Sequence, residues 1–508
     1  MTGERKKAVK TVGLIIFATA GSKLLGLFRD IYTAALYGGG MENSALIVAS
    51  DIPANFFEIL FGAAVLGVFI PVYNSEDDNR EDFANIFLNF IILATGFLAL
   101  IVFIFAPYIV KAAAGGYDEK TIELTVDLLR IIFPSVVLTG SVFTFTGILQ
   151  SKGEFLAPAL VSAFSNIGII IYLALFNGYF KIYGLGAAYL ISWFIQLLTL
   201  VIPLAKKRYK YRFILDLKNP AFKKALKTAL PIMAGSWLIP GSRMIINRFA
   251  SMCGDYDSIV AALGKAWGLF LIITGILIHG ICNYIFPSLA QNAGDDKKFL
   301  KIVKSGISAS AFVIFPVAAI AYVLKNEAFA VLYMRGKFTP ELAELSADMF
   351  AALAPAMVMY AAIEILNRVF YAKNMAKFSM AASLAGMAAC FALCGVFTEK
   401  GITAAVLISQ GLSAAVLIFA LKMKIKEIFD KNFLKNIVKI VVSSGFLFLV
   451  IKIIYLIMGN DAFDSGPVKN ILTAALIVIT GLCAYTGINF ILKTDEIKTV
   501  VKIIKRQG

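Results

Sequence analysis

Lys23, Gly26, Arg29 and Asp30, in the apolar stretch "AGSKLLGLFRDIYTAALYG" from Ala20 to Gly38, are residues that could hold an anion. Spacings of three and six keep Lys23, Gly26 and Arg29 near one helix face, with Asp30 one turn beyond Gly26. A charge at the centre of a bilayer costs about 2.5–3.5 kcal/mol, so such side chains face a partner or a water-filled cavity. A small residue between two cations leaves room for a ligand whose water shell the cations replace. The competing reading is an Arg29 to Asp30 interaction at a helix contact.

The same pattern recurs further along the chain. "AGSKLLGLFR" (20–29) resembles "AGSWLIPGSR" (234–243), which places Arg243 at the position equivalent to Arg29. "YGLGAAYLIS" (183–192) resembles "KGITAAVLIS" (400–409), and Phe69 with Pro71 corresponds to Phe286 with Pro287. All offsets fall near 214–217 residues. Small residues are common at membrane helix contacts, but several matches in register indicate a duplication. Arg243 then supplies a second cation across the repeat axis, and two lobes aim cations at one cavity.

The elements that must position these residues are membrane helices. Hydrophobic residues make up 59% of the chain, charged residues 16%, and the mean hydropathy is +0.82. Fourteen apolar runs of the length needed to cross about 30 Å of hydrocarbon lie near 11–37, 44–73, 84–112, 122–150, 155–177, 182–205, 226–250, 256–289, 300–324, 341–371, 376–396, 401–421, 436–458 and 468–492. The expected fold is an all-α polytopic membrane protein with two parallel six-helix lobes and two C-terminal helices. The lobes are 1–205 and 226–425, joined by a basic linker at 206–225 and followed by spans 13–14 at 426–492 and an amphipathic tail at 493–508. Lysine and arginine concentrate in alternate loops, which places both termini in the cytoplasm. The net charge of +16 therefore reads as topology and attraction to anionic lipid headgroups rather than a nucleic-acid partner.

Other charges fall inside the spans. Asp127 with Arg130 and Glu364 with Arg368 have the spacing of intrahelical pairs. Lys265 lies in span 8, either in the cavity or snorkelling to a membrane surface. His279, the only histidine, reads as a hydrogen-bonded packing residue or a proton relay. The five cysteines form no CxxC, so no disulfide framework or metal site is indicated. One histidine and no clustered carboxylates leave little to build an enzyme from.

"SKLLGLFRDIYTAALYG" resembles the first-helix signature of the MurJ (MviN) lipid II flippases, within the multidrug/oligosaccharidyl-lipid/polysaccharide exporter superfamily. "FIPVY" (69–73), "FPSLA" (286–290) and "RGKFT" (335–339) extend the resemblance along the chain. It implies a transporter in the bacterial inner membrane that carries undecaprenyl-pyrophosphate-linked peptidoglycan precursor to the periplasmic leaflet by alternating access. It also implies a lipid-tail groove in spans 13–14, no cofactor, and function as a monomer. Lys23, Arg29, Asp30, Arg243 and Lys265 are the expected substrate-binding residues. Two arginines usual in the family are missing, with Phe57 and Glu58 at one position and Gly268 at the other. Lys265, one turn before Gly268, is placed to compensate for the second. Another polyprenyl-pyrophosphate oligosaccharide is the alternative substrate, and a membrane glycosyltransferase is the rival of another class.

Overall fold

The computed structural model describes residues 3–62, 68–76, 79–397, 399–425, 427–458 and 467–498, and every regular element among them is a helix. A chain this apolar must satisfy its backbone hydrogen bonds within each segment, which a helix does. Eleven helices are long and apolar enough to cross a membrane, or twelve when a bent pair is taken as one span. One of the eleven runs 51 residues, Leu156–Lys206. It breaks at Lys181, whose φ of 45° is left-handed, and Tyr172 donates to the Lys181 carbonyl there at 2.6 Å. Taking its two parts as spans 5 and 6, and the charge-bearing first helix as span 1, gives each of the fourteen expected crossings a helix.

The chain forms two compact units, 1–261 and 262–508. The first holds α1 (Gly3–Tyr37), α2 (Met41–Phe57), α3 (Ile70–Ser75), α4 (Arg80–Ala113), α5 (Glu119–Ile132), α6 (Ser135–Ser151), α7 (Leu156–Ile171), α8 (Asn177–Lys206), α9 (Pro220–Ser236) and α10 (Leu238–Ala250). Helix α1 packs on α7, α2 on α5 and α10, and α4 on α6. Helix α2 continues as a π-helical turn, Glu58–Gly62. Its Ile59 carbonyl accepts from Trp237 Nε1 at 2.7 Å, at the 46° bend between α9 and α10. A π turn departs from the usual hydrogen-bond ladder, and here a tryptophan from another helix takes up one of its carbonyls.

The boundary falls inside α11 (Tyr256–Gln291). The second unit continues with α12 (Asp296–Val323), α13 (Lys325–Tyr333), α14 (Pro340–Ala372), α15 (Ala376–Cys394), α16 (Ile402–Lys424), α17 (Lys431–Met458) and α18 (Pro467–Leu492). Helix α14 packs on α12 and α16, and α17 packs on α12 and α18. Leu447, Ile451, Ile477 and Tyr485 form a core with Leu324, and Tyr485 donates to the Phe312 carbonyl at 2.8 Å. The expected amphipathic tail begins inside the protein: Ile497 is buried, and the Asn436 amide of α17 donates to Glu496 and accepts from the Asp495 amide. The tail positions from 499 onward, Val500, Val501, Lys502, Ile504 and Lys505 among them, lie outside the described residues.

Candidate functional site

Arg29 is the centre of a polar cluster in the first unit. Its Nε and Nη2 donate to Asp30 Oδ1 at 3.1 and 2.8 Å, and its Nη1 donates to Asn166 Oδ1 of α7 at 2.9 Å. The guanidinium lies 5.6 Å from the Tyr189 ring centroid. Asn166 is fixed in turn, since its amide donates to the Ser22 carbonyl at 3.2 Å while Ser22 Oγ donates to Ala159 at 3.0 Å. The Arg29 and Asp30 side chains are 23% and 28% exposed, so the pair remains open on one side. Lys23 is exposed and forms no hydrogen bond or ion pair among the described residues.

Gly26 does not leave the room for a ligand that its size suggests. A Cβ there would meet Asn166 Nδ2 at 3.3 Å, so the Asn166 amide already fills the space. The glycine lets α7 approach closely enough for Asn166 to reach Arg29.

Arg243 sits in a second cluster of the same unit. Its Nε donates to Asp51 Oδ2 of α2 at 2.7 Å, and Asn247 Nδ2 donates to the same oxygen at 2.9 Å. The arginine side chain is 4% exposed and the aspartate 28%, so the carboxylate is the more accessible partner. Both arginines are therefore charge-matched in this conformation. An anion entering here would add at Lys23 or take the place of a carboxylate.

Lys265 is buried in the second unit, 6.0 Å from the Tyr333 ring centroid, rather than reaching toward a surface. Gly268, one turn later, has nothing within 4 Å of the position a Cβ would take. At the other position lacking a family arginine, Phe57 is buried against Phe61 and Phe143, with centroids 5.9 and 5.2 Å away, while Glu58 is exposed. An aromatic cluster fills the place where the resemblance implies a cation.

His279 Nε2 lies 2.8 Å from the Tyr360 hydroxyl, as a hydrogen-bonded packing residue would. Glu364 and Arg368 form the expected pair at 3.1 Å. Asp127 and Arg130 do not. Arg130 Nε instead donates to the Phe103 carbonyl of α4 at 3.3 Å, and Asp127 accepts from Tyr183 at 3.5 Å. Partners from neighbouring helices outcompete a pair with imperfect local geometry. Outside the spans, the Tyr117 phenol is pushed up by burial, and Asp430 is held below its usual range by Lys304 and the Phe433 amide. Among the described residues no group of three or more His, Cys, Asp or Glu side chains could hold a metal ion.

Asn166, Tyr189 and Asn247 are polar neighbours of the candidate site that the sequence reading missed. Their signal was a polar side chain isolated in an apolar span, which needs a partner as a charge does.

Comparison with known proteins gives a consistent picture. The family model described as lipid II flippase MurJ matches residues 33–492. A probable lipid II flippase MurJ of Bdellovibrio bacteriovorus is 25% identical over 98% of this chain and 97% of its own. Its namesake from Thermotoga maritima is 23% identical over 97% and 99%. Among solved structures, a lipid II flippase MurJ in an inward closed conformation superposes with a TM-score of 0.77 at 21% identity, covering 95% of this chain and 99% of that one. An inward-facing MATE family transporter of the MOP superfamily gives a TM-score of 0.65 at 16% identity, covering 80% and 95%.

Proposed function

Because the chain belongs to the MurJ family of lipid II flippases, we propose that it carries lipid II, an undecaprenyl-pyrophosphate-linked peptidoglycan precursor, from the cytoplasmic to the periplasmic leaflet. It is a multi-pass transporter of the bacterial inner membrane, not an enzyme, and works by alternating access. The observation that carries this reading is the partly exposed Arg29, held by Asp30 and Asn166 within apolar helices. A pyrophosphate cannot enter hydrocarbon without its water shell being replaced, and a guanidinium offers a planar fork that matches phosphate oxygens.

In this proposal Lys23, Arg29 and Asp30 form one contact region, with Arg243 and Lys265 joining as carboxylate and aromatic partners exchange. The six-helix repeats act as lobes, spans 13–14 hold the lipid tail, the termini and the 206–225 linker are cytoplasmic, and one copy suffices. The aromatic cluster at Phe57 and the empty position at Gly268 favour one second reading, a different polyprenyl-pyrophosphate oligosaccharide as cargo. Translocation of lipid II in proteoliposomes containing only this protein tests the proposal. Transport that Arg29→Ala abolishes, with the variant still folded, is the expected result. Transport of another polyprenyl-pyrophosphate oligosaccharide but not of lipid II would support the second reading, and absence of both activities would overturn the proposal.

A further inference from the structure

The segment joining α8 to α9 is not a loose charged loop. Residues 209–214 run without helix along α4 and are pinned by two of its buried asparagines, Asn85 and Asn89. Asn85 Nδ2 donates to the Lys210 carbonyl at 3.3 Å, and its Oδ1 accepts from the Tyr209 hydroxyl at 2.7 Å and the Arg212 amide at 3.2 Å. Asn89 Nδ2 donates to the Arg212 and Ile214 carbonyls at 3.2 and 2.9 Å, and its Oδ1 accepts from the Tyr211 hydroxyl at 2.9 Å. Asparagines four apart stand on one helix face, and here they read alternate residues of an extended chain. The start of the segment is tied as well: Lys207 Nζ donates to the Lys152 carbonyl, and Lys152 pairs with Glu81 at 3.0 Å.

Alternation sorts the side chains of this extended segment into two rows. Tyr209, Tyr211, Phe213 and Leu215 form an aromatic and aliphatic row, in which Phe213 is 69% exposed, and exposed Leu217 follows in the turn at its end. Lys210, Arg212, Ile214 and Asp216 occupy the intervening positions; the two cations come first and are exposed, next to exposed Lys206, Lys207 and Arg208. Tyr211, Phe213, Leu215 and Leu217 are exposed, and with the exposed cations of the same segment they give the composition of a chain lying at a membrane interface. Burial also pushes the Tyr209 phenol up.

We propose that this pinned linker segment is a docking surface for the anionic phospholipid of the cytoplasmic leaflet, with phosphates meeting the cations and acyl chains meeting Phe213, Leu215 and Leu217. The proposal rests on the cytoplasmic placement of the linker given above and goes beyond general attraction of basic loops. The asparagine ladder fixes the charges before lipid arrives, so that a lipid pays little ordering cost for the segment.

The experiment counts phospholipids retained by the full chain after purification from vesicles of phosphatidylglycerol and phosphatidylcholine, by mass spectrometry of the intact protein. The wild type is expected to retain phosphatidylglycerol several-fold over phosphatidylcholine, and Lys210→Gln with Arg212→Gln to lower that preference at least twofold. Neither change touches the backbone groups that the asparagines hold, so folding is preserved. Unchanged preference in this variant overturns the proposal. Asn85→Ala with Asn89→Ala keeps every charge but releases the segment. It should expose the Arg212 amide to hydrogen exchange and weaken the preference similarly, and an exchanged amide with full preference overturns the role of the ladder. Lipid II transport is measured on the same preparations. Loss of transport with lipid preference intact speaks against the flippase reading alone, and the converse against the docking surface alone.

Discussion

Replacing Asp51 by alanine should destabilise the first unit by an amount that the Arg243 geometry sets. Removing one partner of a buried ion pair costs about 3–5 kcal/mol, because the remaining charge is left uncompensated. The Asp51 side chain is 28% exposed, so water reaches part of the gap and the lower end, about 3 kcal/mol, applies. Asn247 loses its acceptor in the same step, adding about 1 kcal/mol. For a cooperative unit of this size about 2 °C is lost per kcal/mol, so the thermal midpoint in detergent should fall by roughly 6–8 °C. The paired replacement Asp51→Leu with Arg243→Met removes both charges at similar volume and should leave the midpoint within about 2 °C of wild type, since such exchanges are often neutral. That double variant is the informative one for function. If Arg243 contacts the substrate, it is stable but does not transport. A single Asp51→Ala variant as stable as the wild type, or a double variant as unstable as the single, would refute the reasoning.

Lys265→Ala should reduce flipping by about tenfold or more, the worth of one hydrogen bond to a charged group, and adding Gly268→Arg should restore much of it, because nothing lies within 4 Å of the Cβ position there. Near-normal flipping by Lys265→Ala at matched expression would sink this compensation. Gly116→Ala should lower folded yield and midpoint, with a cost of about 1–3 kcal/mol or more, because its Cβ would overlap the Ser251 carbonyl oxygen and lie 2.5 Å from Met252 Cα, both backbone atoms. Wild-type yield from this variant would show that the approach of the loop to α10 is not tight.

The helical class and the crossings were legible because apolar runs of this length leave the backbone one solution. Glu364 with Arg368 was legible because its partners are four residues apart on one helix. Arg29 was recognisable as a polar centre, but not its contacts: Asn166 comes from 137 residues away, and no local spacing encodes such a distance. Asp51 carries no local mark of its role, because its partner Arg243 is 192 residues on. Gly26 misled because a glycine looks the same whether the space beside it is empty or filled by another helix. Arg130 misled because local spacing ignores competition from the Phe103 carbonyl. The linker's cations were visible, while the asparagines that pin it sat unmarked in an apolar span.

The two arginine pairs also differ in when they become available as the chain is made. Arg29 and Asp30 are adjacent, so the first helix enters the bilayer with its neutralising partner attached and needs no other helix to lower the cost of that charge. Arg243 has no such neighbour, and its aspartate stands on a helix synthesised almost two hundred residues earlier. Domains form in order from the N-terminus during synthesis, so Asp51 is already in the membrane when α10 leaves the ribosome. The placement of acid before base along the chain gives this arginine a waiting counterion, and gives α10 a reason to stay with the helices that preceded it.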